Sequence, residues 1–466
     1  MGVRLALDVL QWVFLLYFAG LNLVYIGLNL VALRVIGRER ALREVEALPE
    51  YGAGLEPGVS LLVPAYNEEA TIAASVRSML QLAYPDVEII VINDGSKDRT
   101  LAVLQREFAL QPFPEAYRIA LPVKPVRGIY RSPLHPNLRV IDKDNGGKAD
   151  ALNAGINAAR HALFCGVDAD SILQRDSLRR IVRPFMEDRR IIACGGTIRI
   201  ANGCSIAQGY IESVGMPRNW LARVQIVEYL RAFLFGRLGW SPMNALLIIS
   251  GAFGLFRRMA VIEAGGYRTS TIGEDMELVV RLHRLSREGG HDYRIVFVPD
   301  PVCWTEAPES LAVLRSQRVR WQRGLMESLW ANRSLMFARR SGAVGWLAFP
   351  VMVVFEAIGP AIELAGYLFM AGAFAMGWIS SAAFAAFMVL AIGLGLMLSA
   401  SSLLLEEMSF RLYPKLAHLR VLVAAMFLEN LGYRQLNSWW RLVGIWKWLR
   451  GGHGVWGEMA RKGVSR

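Results

Sequence analysis

Two acidic side chains stand two residues apart at the end of an apolar run. Asp168 and Asp170 lie in VDADS, directly after the run ALFCG. A turn at this point would direct both carboxyl groups towards one hard cation such as Mg²⁺ or Mn²⁺, which prefer carboxylate oxygens as ligands. Acidic turns are also common as solvated surface features. The pair taken alone therefore leaves a metal site and a surface turn as alternatives.

A third carboxyl group follows another apolar run. Asp94 ends the sequence VEIIVIND and is followed by Gly95. Its carboxylate could accept hydrogen bonds from a uracil base or a ribose. The alternative is an Asp-Gly turn, in which the side chain serves the local backbone.

A candidate general base stands further along the chain. Asp275 opens the amphipathic helical pattern 276–285 and is preceded by Gly273 and Glu274. A positioned carboxylate can remove the proton of an attacking hydroxyl group. An acidic residue in the first turn of a helix is also stabilised by the helix dipole, so a purely structural role is the alternative.

The sequence QRVRW at 317–321 combines cations with a large aromatic side chain. Arginine can bind phosphate through two parallel hydrogen bonds, and tryptophan presents a flat apolar face to a sugar ring. The alternative is a basic amphipathic helix on a membrane surface. With a metal site and a base, these groups would complete the set that transfer of a sugar from a nucleoside diphosphate requires.

The elements that must position these residues form an alternating pattern. Over residues 58–298, short apolar runs such as VSLLVPAY and RIIACGGTIRI alternate with helical stretches such as KADALNAGINAARHAL. The alternation predicts an α/β domain with a mostly parallel sheet. Ligands of such domains bind at the carboxyl ends of the strands, which is where the acidic clusters fall.

An uncharged stretch precedes this domain. Residues 10–33 are long enough to cross a hydrocarbon core of about 30 Å, and no cleavage site of a signal peptide is visible. Four arginines follow the stretch directly, namely Arg34, Arg38, Arg40 and Arg43. By the positive-inside rule we expect the N-terminus outside and the α/β domain in the cytosol.

Apolar character returns after the α/β domain. Residues 345–366 and 379–405 are candidate spans, whereas 420–448 contains polar residues in its middle and is predicted to be a hairpin that dips into the membrane. Glu356 and Glu363 are seven residues apart and are expected on one helix face, lining a polar path for a glycan. Placement at the membrane interface, near Gly359-Pro360, is the alternative.

The overall charge restricts the partners. Of the 466 residues 54% are hydrophobic and the formal net charge is +12, which suits phosphate-rich substrates and anionic membrane lipids. The basic residues are dispersed and no nucleic-acid motif is visible, so we expect no nucleic-acid partner.

These patterns divide the chain into four parts. We expect a transmembrane helix at 1–37, a linker at 38–57, a cytosolic catalytic domain with interfacial helices at 58–330, and a membrane region with a cytosolic tail at 331–466.

Seven motifs in order resemble the processive branch of glycosyltransferase family 2, which includes cellulose, hyaluronan, chitin and poly-N-acetylglucosamine synthases. The motifs are PAYNE at 64–68, NDGS at 93–96, GGKADALN at 146–153, VDAD at 167–170, SGAFG at 250–254, GED at 273–275 and QRVRW at 317–321. The second motif has Asn93 where many relatives have a second aspartate, and the sixth has Gly273 where threonine is frequent.

The resemblance implies a role for each residue. It assigns Tyr66, Asn67, Glu68 and Asp94 to the uridine, Lys148 to the base or diphosphate, Asp168 to the nucleotide or sugar, and Asp170 to Mg²⁺ or Mn²⁺. It assigns Asp275 as the catalytic base. It assigns Gln317, Arg318 and Arg320 to the diphosphate, Trp321 with Ser250 and Gly251 to the acceptor, and Glu274 to the same diphosphate and acceptor group.

The implied fold is a Rossmann-like GT-A catalytic domain combined with α-helical transmembrane segments. The implied activity is inverting transfer from a UDP-sugar, with N-acetylglucosamine or glucose favoured, to the end of a growing polysaccharide at the inner (plasma) membrane. A single transfer to a lipid, as by ceramide glucosyltransferases, is the alternative, and a non-catalytic receptor or scaffold is disfavoured. Because few spans are visible, we expect a second copy or an accessory export subunit to help line the glycan path.

Overall fold

The computed structural model describes residues 2–45, 56–207 and 209–451. The described strands are β1 (Val59–Ala65), β2 (Val87–Asp94), β3 (Gln111–Pro112), β4 (Val126–Arg131), β5 (Leu138–Lys143), β6 (Leu163–Val167), β7 (Ile172–Leu173), β8 (Ile191–Ile200), β9 (Ser205–Ala207), β10 (Tyr210–Ser213), β11 (Phe253–Arg257) and β12 (Arg294–Thr305).

The described α-helices are α1 (Gly2–Val45), α2 (Ile72–Leu80), α3 (Thr100–Glu107), α4 (Lys148–Ala158), α5 (Ser177–Glu187), α6 (Trp220–Leu230), α7 (Leu238–Trp240), α8 (Arg258–Glu263), α9 (Glu274–Glu288), α10 (Leu311–Ala331), α11 (Phe349–Val351), α12 (Gly359–Ala375), α13 (Ser381–Met388), α14 (Leu394–Ser409), α15 (Leu416–Leu428) and α16 (Arg434–Leu449). Several are joined by π-helical segments, namely Arg231–Arg237, Val344–Ala348, Met352–Ala357, Val389–Gly393 and Glu429–Tyr433.

Ten of the described strands form one sheet in the order β3-β4-β5-β2-β1-β6-β11-β8-β12-β7. The central strands β5, β2, β1 and β6 are parallel, whereas β11 runs antiparallel to both of its neighbours. Strands β8 and β12 are also parallel, whereas β3, β4 and β7 pair only antiparallel, so four of the nine pairings in this sheet of described strands are parallel. The sheet is mixed, and the expectation of a mostly parallel sheet is wrong. A parallel pair needs a crossover of a dozen or more residues, but only residues 132–137 connect the antiparallel strands β4 and β5.

The central strands are buried on both faces, as expected for runs rich in valine, isoleucine and leucine. Helix α4 covers β1 and β2, and a Cβ atom at Gly155 would come within about 3.0 Å of Leu62 and Ile92 side chains. Because β1, β2 and β6 are parallel, their carboxyl ends lie at one edge of the sheet. The chain segments that follow these three strands therefore start from the same edge.

Two described helical stretches, Leu7–Arg38 and Ser381–Ser409, are long and apolar enough to cross a membrane. A third candidate is the pair Val344–Ala357 and Gly359–Ala375, which is bent by 48°. These stretches mark a membrane protein and fall near the expected spans. Helix α1 continues to Val45, so the first residues of the expected linker are helical.

The bend changes the interpretation of two glutamates. Glu356 belongs to the π-helical segment Met352–Ala357, whereas Glu363 belongs to α12. The expectation that they share one helix face is wrong, because Pro360 has no backbone N–H to continue the preceding helix.

The stretch 420–448 contains a second break, between α15 and α16, where Gly432 adopts a φ of 121°. It is not among the candidate spans of the described chain. Its predicted dip into the membrane stays a prediction.

Candidate active site

The fifteen site residues predicted from the sequence all line one cavity of about 2200 Å³, here called the central cavity. They are Tyr66, Asn67, Glu68, Asp94, Lys148, Asp168, Asp170, Ser250, Gly251, Glu274, Asp275, Gln317, Arg318, Arg320 and Trp321. The acidic residues, the SGAFG loop and helix α10 are far apart in sequence. The fold therefore brings them together, although their individual roles stay predictions.

The carboxylate of Asp94 is engaged by the chain itself. Lys143 Nζ lies 2.7 Å from Oδ1, and the backbone amides of Gly146 and Gly147 donate to Oδ1 and Oδ2 at 3.0 and 2.7 Å. Lys143 is fully buried and also pairs with Asp150 at 2.5 Å. These contacts give Asp94 a role in shaping the glycine loop before α4. Its predicted contact with the nucleotide stays a prediction.

The loop after β1 is fixed to the loop after β2. Asn67 accepts from the amide of Lys97 at 2.8 Å, and its own amide donates to Ser96 Oγ at 3.0 Å. Asn67 has a φ of 55°, a left-handed conformation that asparagine tolerates better than most residues. The turn directs residues 66–68 into the cavity.

Lys148 is the centre of an acidic group. Its Nζ lies 2.5 Å from Asp168 Oδ1 and 3.9 Å from Glu274 Oε1, and it donates to the carbonyl of Gly251 at 3.3 Å. Lys148 therefore connects the segment after β6, the SGAFG loop and the start of α9.

Glu274 and Lys148 titrate away from their ordinary values. Burial raises the pKa of Glu274 to about 7, and the nearby Lys148 ammonium opposes this rise. Burial lowers the pKa of Lys148, but Asp168 and Glu274 outweigh that effect, so its pKa lies above the ordinary value. Lys148 is therefore a permanent cation, whereas Glu274 changes charge near neutral pH.

The carboxylate of Asp275 is held by two backbone amides. Gly251 donates to Oδ2 at 3.1 Å and Met276 donates to Oδ1 at 2.8 Å. Only glycine fits at position 251 without displacing its neighbours, because a Cβ atom there would lie 3.1 Å from Lys148 Nζ and 3.3 Å from Asp275 Oδ2. The SGAFG loop thus fixes the orientation of Asp275.

The two arginines of QRVRW on α10 differ in burial, since Arg318 is buried and Arg320 is partly exposed. Arg318 is buried, donates to Glu228 Oε2 at 2.6 Å and to the Tyr433 hydroxyl at 3.3 Å, and stacks on Trp321 at 4.5 Å from the ring centroid. Trp321 itself is 46% exposed and lines the cavity. The geometry gives Arg318 a part in supporting Trp321, and its predicted contact with diphosphate stays a prediction.

Contacts that the sequence reasoning missed connect α9 to α10. A Cβ atom at Gly273 would lie 2.9 Å from the Cα atom of Gly324, so the two backbones touch. Glu327 accepts from the hydroxyl of Thr271 at 3.0 Å and from the amide of Ile272 at 2.9 Å. The small residue at position 273 was a signal for such close packing.

The central cavity extends to residues of the candidate spans and of α16. Arg441 pairs with Glu356 at 2.8 Å and donates to Gln322 Oε1 at 2.7 Å, and Tyr25 also donates to Glu356. Arg434 pairs with Glu363 at 3.1 Å. Both glutamates expected along a polar path thus face this cavity.

The carboxylates suit a cation only with help from a substrate. No group of three or more His, Cys, Asp or Glu side chains in the described part of the chain is arranged to hold a metal ion. Mg²⁺ is commonly held by one or two carboxylates together with substrate phosphates. Asp168 and Asp170, both at the cavity wall, fit that donor set.

Comparison with known proteins gives the family. The model of "Glycosyl transferase family 2" matches residues 60–263, and that of "Glycosyl transferase family group 2" matches residues 164–400, slightly more than half of the chain. This chain belongs to glycosyltransferase family 2. The family match includes the glycine loop, the VDAD motif, both ends of the Gly251–Asp275 contact and helix α10.

This glycosyltransferase has named relatives. It is 30% identical over 280 residues to a poly-beta-1,6-N-acetyl-D-glucosamine synthase of Staphylococcus epidermidis, covering 59% of this chain and 57% of the relative. It is 32% identical over 275 residues to the synthase of the same name from Staphylococcus aureus, covering 58% and 55%. The matched part thus spans little more than half of each relative's length.

A solved structure has the same fold. A mannosyltransferase from Pyrobaculum calidifontis, in complex with GDP-Man and Mn²⁺, superposes with a TM-score of 0.51 at 19% identity and covers 90% of this chain and 99% of its own. At this identity the likeness concerns the fold alone.

Proposed function

We propose that this glycosyltransferase transfers a sugar from a UDP-sugar to the end of a growing β-linked polysaccharide, with inversion at the anomeric carbon. One observation carries the proposal. The VDAD carboxylates, the fixed Asp275 and the exposed ring of Trp321 line the same cavity. That shared cavity supports a donor site, a base and an apolar face for an acceptor sugar acting together.

The names of the curated relatives support N-acetylglucosamine as the sugar, since both are poly-beta-1,6-N-acetyl-D-glucosamine synthases. Glucose is the second candidate. UDP is proposed as the carrier because of the resemblance of PAYNE and NDGS to the uridine-binding motifs.

In the proposed reaction, Asp275 accepts the proton of the acceptor hydroxyl group. The hydroxyl oxygen forms a bond to the anomeric carbon from the face opposite the diphosphate, and the bond from that carbon to the diphosphate oxygen breaks. The amides of Gly251 and Met276 hold the Asp275 carboxylate in place for this proton transfer. The Lys148 and Arg320 cations are proposed to face the diphosphate as UDP leaves.

Asp170, with Asp168 beside it, is proposed to hold Mg²⁺ or Mn²⁺ together with the diphosphate oxygens. A divalent cation bound there would neutralise the charge that develops on the leaving diphosphate. The Mn²⁺ in the related mannosyltransferase structure supports a divalent metal in this fold.

The membrane region is proposed to carry the product. Helix α1 and the C-terminal spans would place the catalytic domain on the cytoplasmic side of the inner membrane, consistent with the arginines after residue 33. The extension of the cavity to Glu356 and Glu363 supports a route for the nascent glycan. A second copy or an accessory subunit is proposed to complete this route.

The test is to incubate the purified full-length protein, in detergent or nanodiscs, with a panel of UDP-sugars and Mg²⁺ or Mn²⁺. Released UDP and the length and linkage of the product are measured. We expect UDP release with UDP-N-acetylglucosamine and a β-linked polymer.

Each other outcome is informative. A product limited to one sugar on a lipid would replace polymer synthesis with single-transfer lipid glycosylation. No UDP release with any sugar, from folded protein supplied with metal and membrane lipid, would contradict the enzymatic function itself.

A further inference from the structure

One arginine in the central cavity forms no ion pair with a carboxylate in the part of the chain that the structure describes. Arg237 ends the π-helical segment Arg231–Arg237 and lines the cavity. Its guanidinium stacks on the ring of Phe233, 3.8 Å from the centroid. The Nη1 atom is buried and has no hydrogen-bond partner among the described residues, and no described carboxylate forms an ion pair with Arg237.

The buried Nη1 group of Arg237 is a hydrogen-bond donor that an acceptor atom of a ligand in the cavity can satisfy. A guanidinium carries five N–H donors, and donors buried without acceptors lose their hydrogen bonds to water. Stacking on Phe233 compensates only partly. Burial lowers the pKa of Arg237 to about 10, so the group is still charged at neutral pH.

The side chains near Arg237 indicate the kind of ligand from which its Nη1 group would find a hydrogen-bond acceptor. The charge of Asp275 and the hydroxyl of Tyr229 act on Arg237, and Tyr229 in turn is near Arg318, which stacks on Trp321. Tyr229 and Phe233 are in ring contact at 5.7 Å. All of these side chains line the central cavity, as do the proposed base Asp275 and the proposed acceptor platform Trp321.

The donor side of the cavity has its own cation. Lys148 lies against Asp168 and Glu274, at the carboxyl end of the sheet. Arg237 lies instead on the segment that packs against α1, and the neighbouring Gly239 touches Leu28 of α1. The segment that carries Arg237 therefore lies against the candidate span α1, and the cavity that Arg237 lines extends to Glu356 and Glu363, the proposed route of the acceptor chain.

We propose that Arg237 binds the terminal sugar of the acceptor, donating to a ring, hydroxyl or N-acetyl carbonyl oxygen, and thereby orients the attacking hydroxyl group towards Asp275. The inference rests on the proposed function. It adds an acceptor-binding residue outside the seven motifs and predicts that the acceptor, rather than the nucleotide, depends on Arg237.

The experiment compares Arg237→Ala and Arg237→Lys with the wild type as full-length protein in nanodiscs. The donor is UDP-N-acetylglucosamine and the probe acceptor is a short N-acetylglucosamine oligomer. For Arg237→Ala we expect a rise of about 10- to 100-fold in acceptor KM, the loss expected for hydrogen bonds to a charged group. Donor KM and the slow hydrolysis of donor by water should change less than about twofold, within the scatter of surface substitutions.

Two controls separate binding from folding. Arg223→Ala removes a stacked arginine from α6, over Trp220 and outside the cavity lining, and should leave both KM values unchanged. Added guanidinium ion should restore part of the acceptor affinity of Arg237→Ala, which a misfolded variant would not allow. Arg237→Lys, which keeps the charge but loses the planar fork, should give an intermediate acceptor KM.

A rise in donor KM with unchanged acceptor KM would overturn the proposal and assign Arg237 to the diphosphate. Unchanged kinetics in both Arg237 variants would overturn it as well. So would a purely structural role of Arg237, which would show as a lowered thermal midpoint in Arg237→Ala, no rescue by guanidinium ion, and wild-type kinetics in Arg237→Lys. Failure of the proposed function is distinguishable, because the wild-type protein would then release no UDP from any donor.

Discussion

Nη2 of Arg318 lies 2.6 Å from Oε2 of Glu228, and this ion pair joins α10 to α6 with little access to water. The Tyr433 hydroxyl also donates to Glu228 at 3.0 Å, so a third segment takes part. Burial would favour a neutral Arg318, but the charge of Glu228 outweighs this and raises the pKa of the guanidinium. The pair holds the helix that carries Trp321 against the catalytic domain.

Removing one partner of this pair should destabilise the protein. Arg318→Met leaves the Glu228 carboxylate without an opposite charge, and Glu228→Gln does the same to the Arg318 guanidinium. Breaking a buried ion pair costs about 3–5 kcal/mol. We expect a clearly lower thermal midpoint for each single variant and partial recovery in Arg318→Met/Glu228→Met. Donor KM should change less than in Arg320→Ala. Arg183→Ala, which removes an exposed i,i+4 pair with Glu187, is the matched control and should have almost no effect.

Asp275→Asn should lower turnover while leaving the nucleotide bound. The amide keeps the shape of the side chain and its contact with Met276, but it cannot accept a proton, and a general base contributes about 10²- to 10⁴-fold to the rate. The measurement is kcat for UDP release beside UDP binding by calorimetry. Turnover above a few per cent of wild type in a folded Asp275→Asn protein would rule out the base role.

The pH dependence of stability should contain a contribution from Glu274. Its pKa is about 4.5 when exposed and is raised by burial to about 7 in the folded protein. The folded state thus prefers the neutral form, so this contribution is fully present below pH 4.5 and is lost as the pH rises through about 7. The loss is about 3 kcal/mol at most.

Glu274→Gln mimics the neutral form and should remove this part of the pH profile. Thermal midpoints measured from pH 5 to 8 should fall more steeply in the wild type than in Glu274→Gln. Glu187→Gln, an exposed carboxyl on α5, is the control and should keep the wild-type slope. Parallel profiles for wild type and Glu274→Gln would argue against the raised pKa.

The site residues could be found from the sequence because their types occur in an ordered set of motifs, each beside a strand end or helix start. The sequence could not reveal how each side chain is oriented. Arg318 and Arg320 differ by two positions on α10, yet Arg318 is buried against Glu228 of another helix whereas Arg320 is partly exposed. Arg237 was missed because a single arginine in an apolar stretch has no pattern of its own.

For the fold too, features with a local sequence pattern could be predicted, whereas features that depend on distant residues could not. Continuous apolar runs identified the buried central strands, since burial on both faces leaves that signature in a linear sequence. The antiparallel position of β11 depends on a pairing between residues far apart, for example Leu255 with Cys165, and no local pattern encodes it. The bend at Pro360 was visible as a Gly-Pro interruption, but its consequence for Glu356 and Glu363 required the three-dimensional path.

Metal removal should stop transfer without unfolding the protein. If Asp170 and the donor diphosphate share the cation, a chelator should abolish UDP release, and Mg²⁺ or Mn²⁺ should restore it. Asp170→Asn should raise the metal concentration needed for half-maximal activity about 10- to 100-fold, the scale on which metal-site substitutions act. Asp176→Asn, an exposed carboxylate beside α5, should not. An unchanged metal requirement in Asp170→Asn would move the metal site elsewhere.

The ion pair between Arg441 and Glu356 should matter for product length more than for chemistry. Glu356 accepts from Arg441 and Tyr25 at the part of the cavity formed by membrane helices, and Arg441 also holds Gln322, the neighbour of Trp321. Arg441→Met leaves an unpaired carboxylate in the proposed glycan route, which is costly in a poorly hydrated environment. We expect UDP release to continue, but with shorter chains and less polymer delivered across the bilayer of proteoliposomes.

Glu407→Gln removes an exposed carboxylate at the end of α14 and serves as the matched control. Full-length, exported polymer from both Arg441→Met and Glu356→Leu would mean that the glycan leaves by another path.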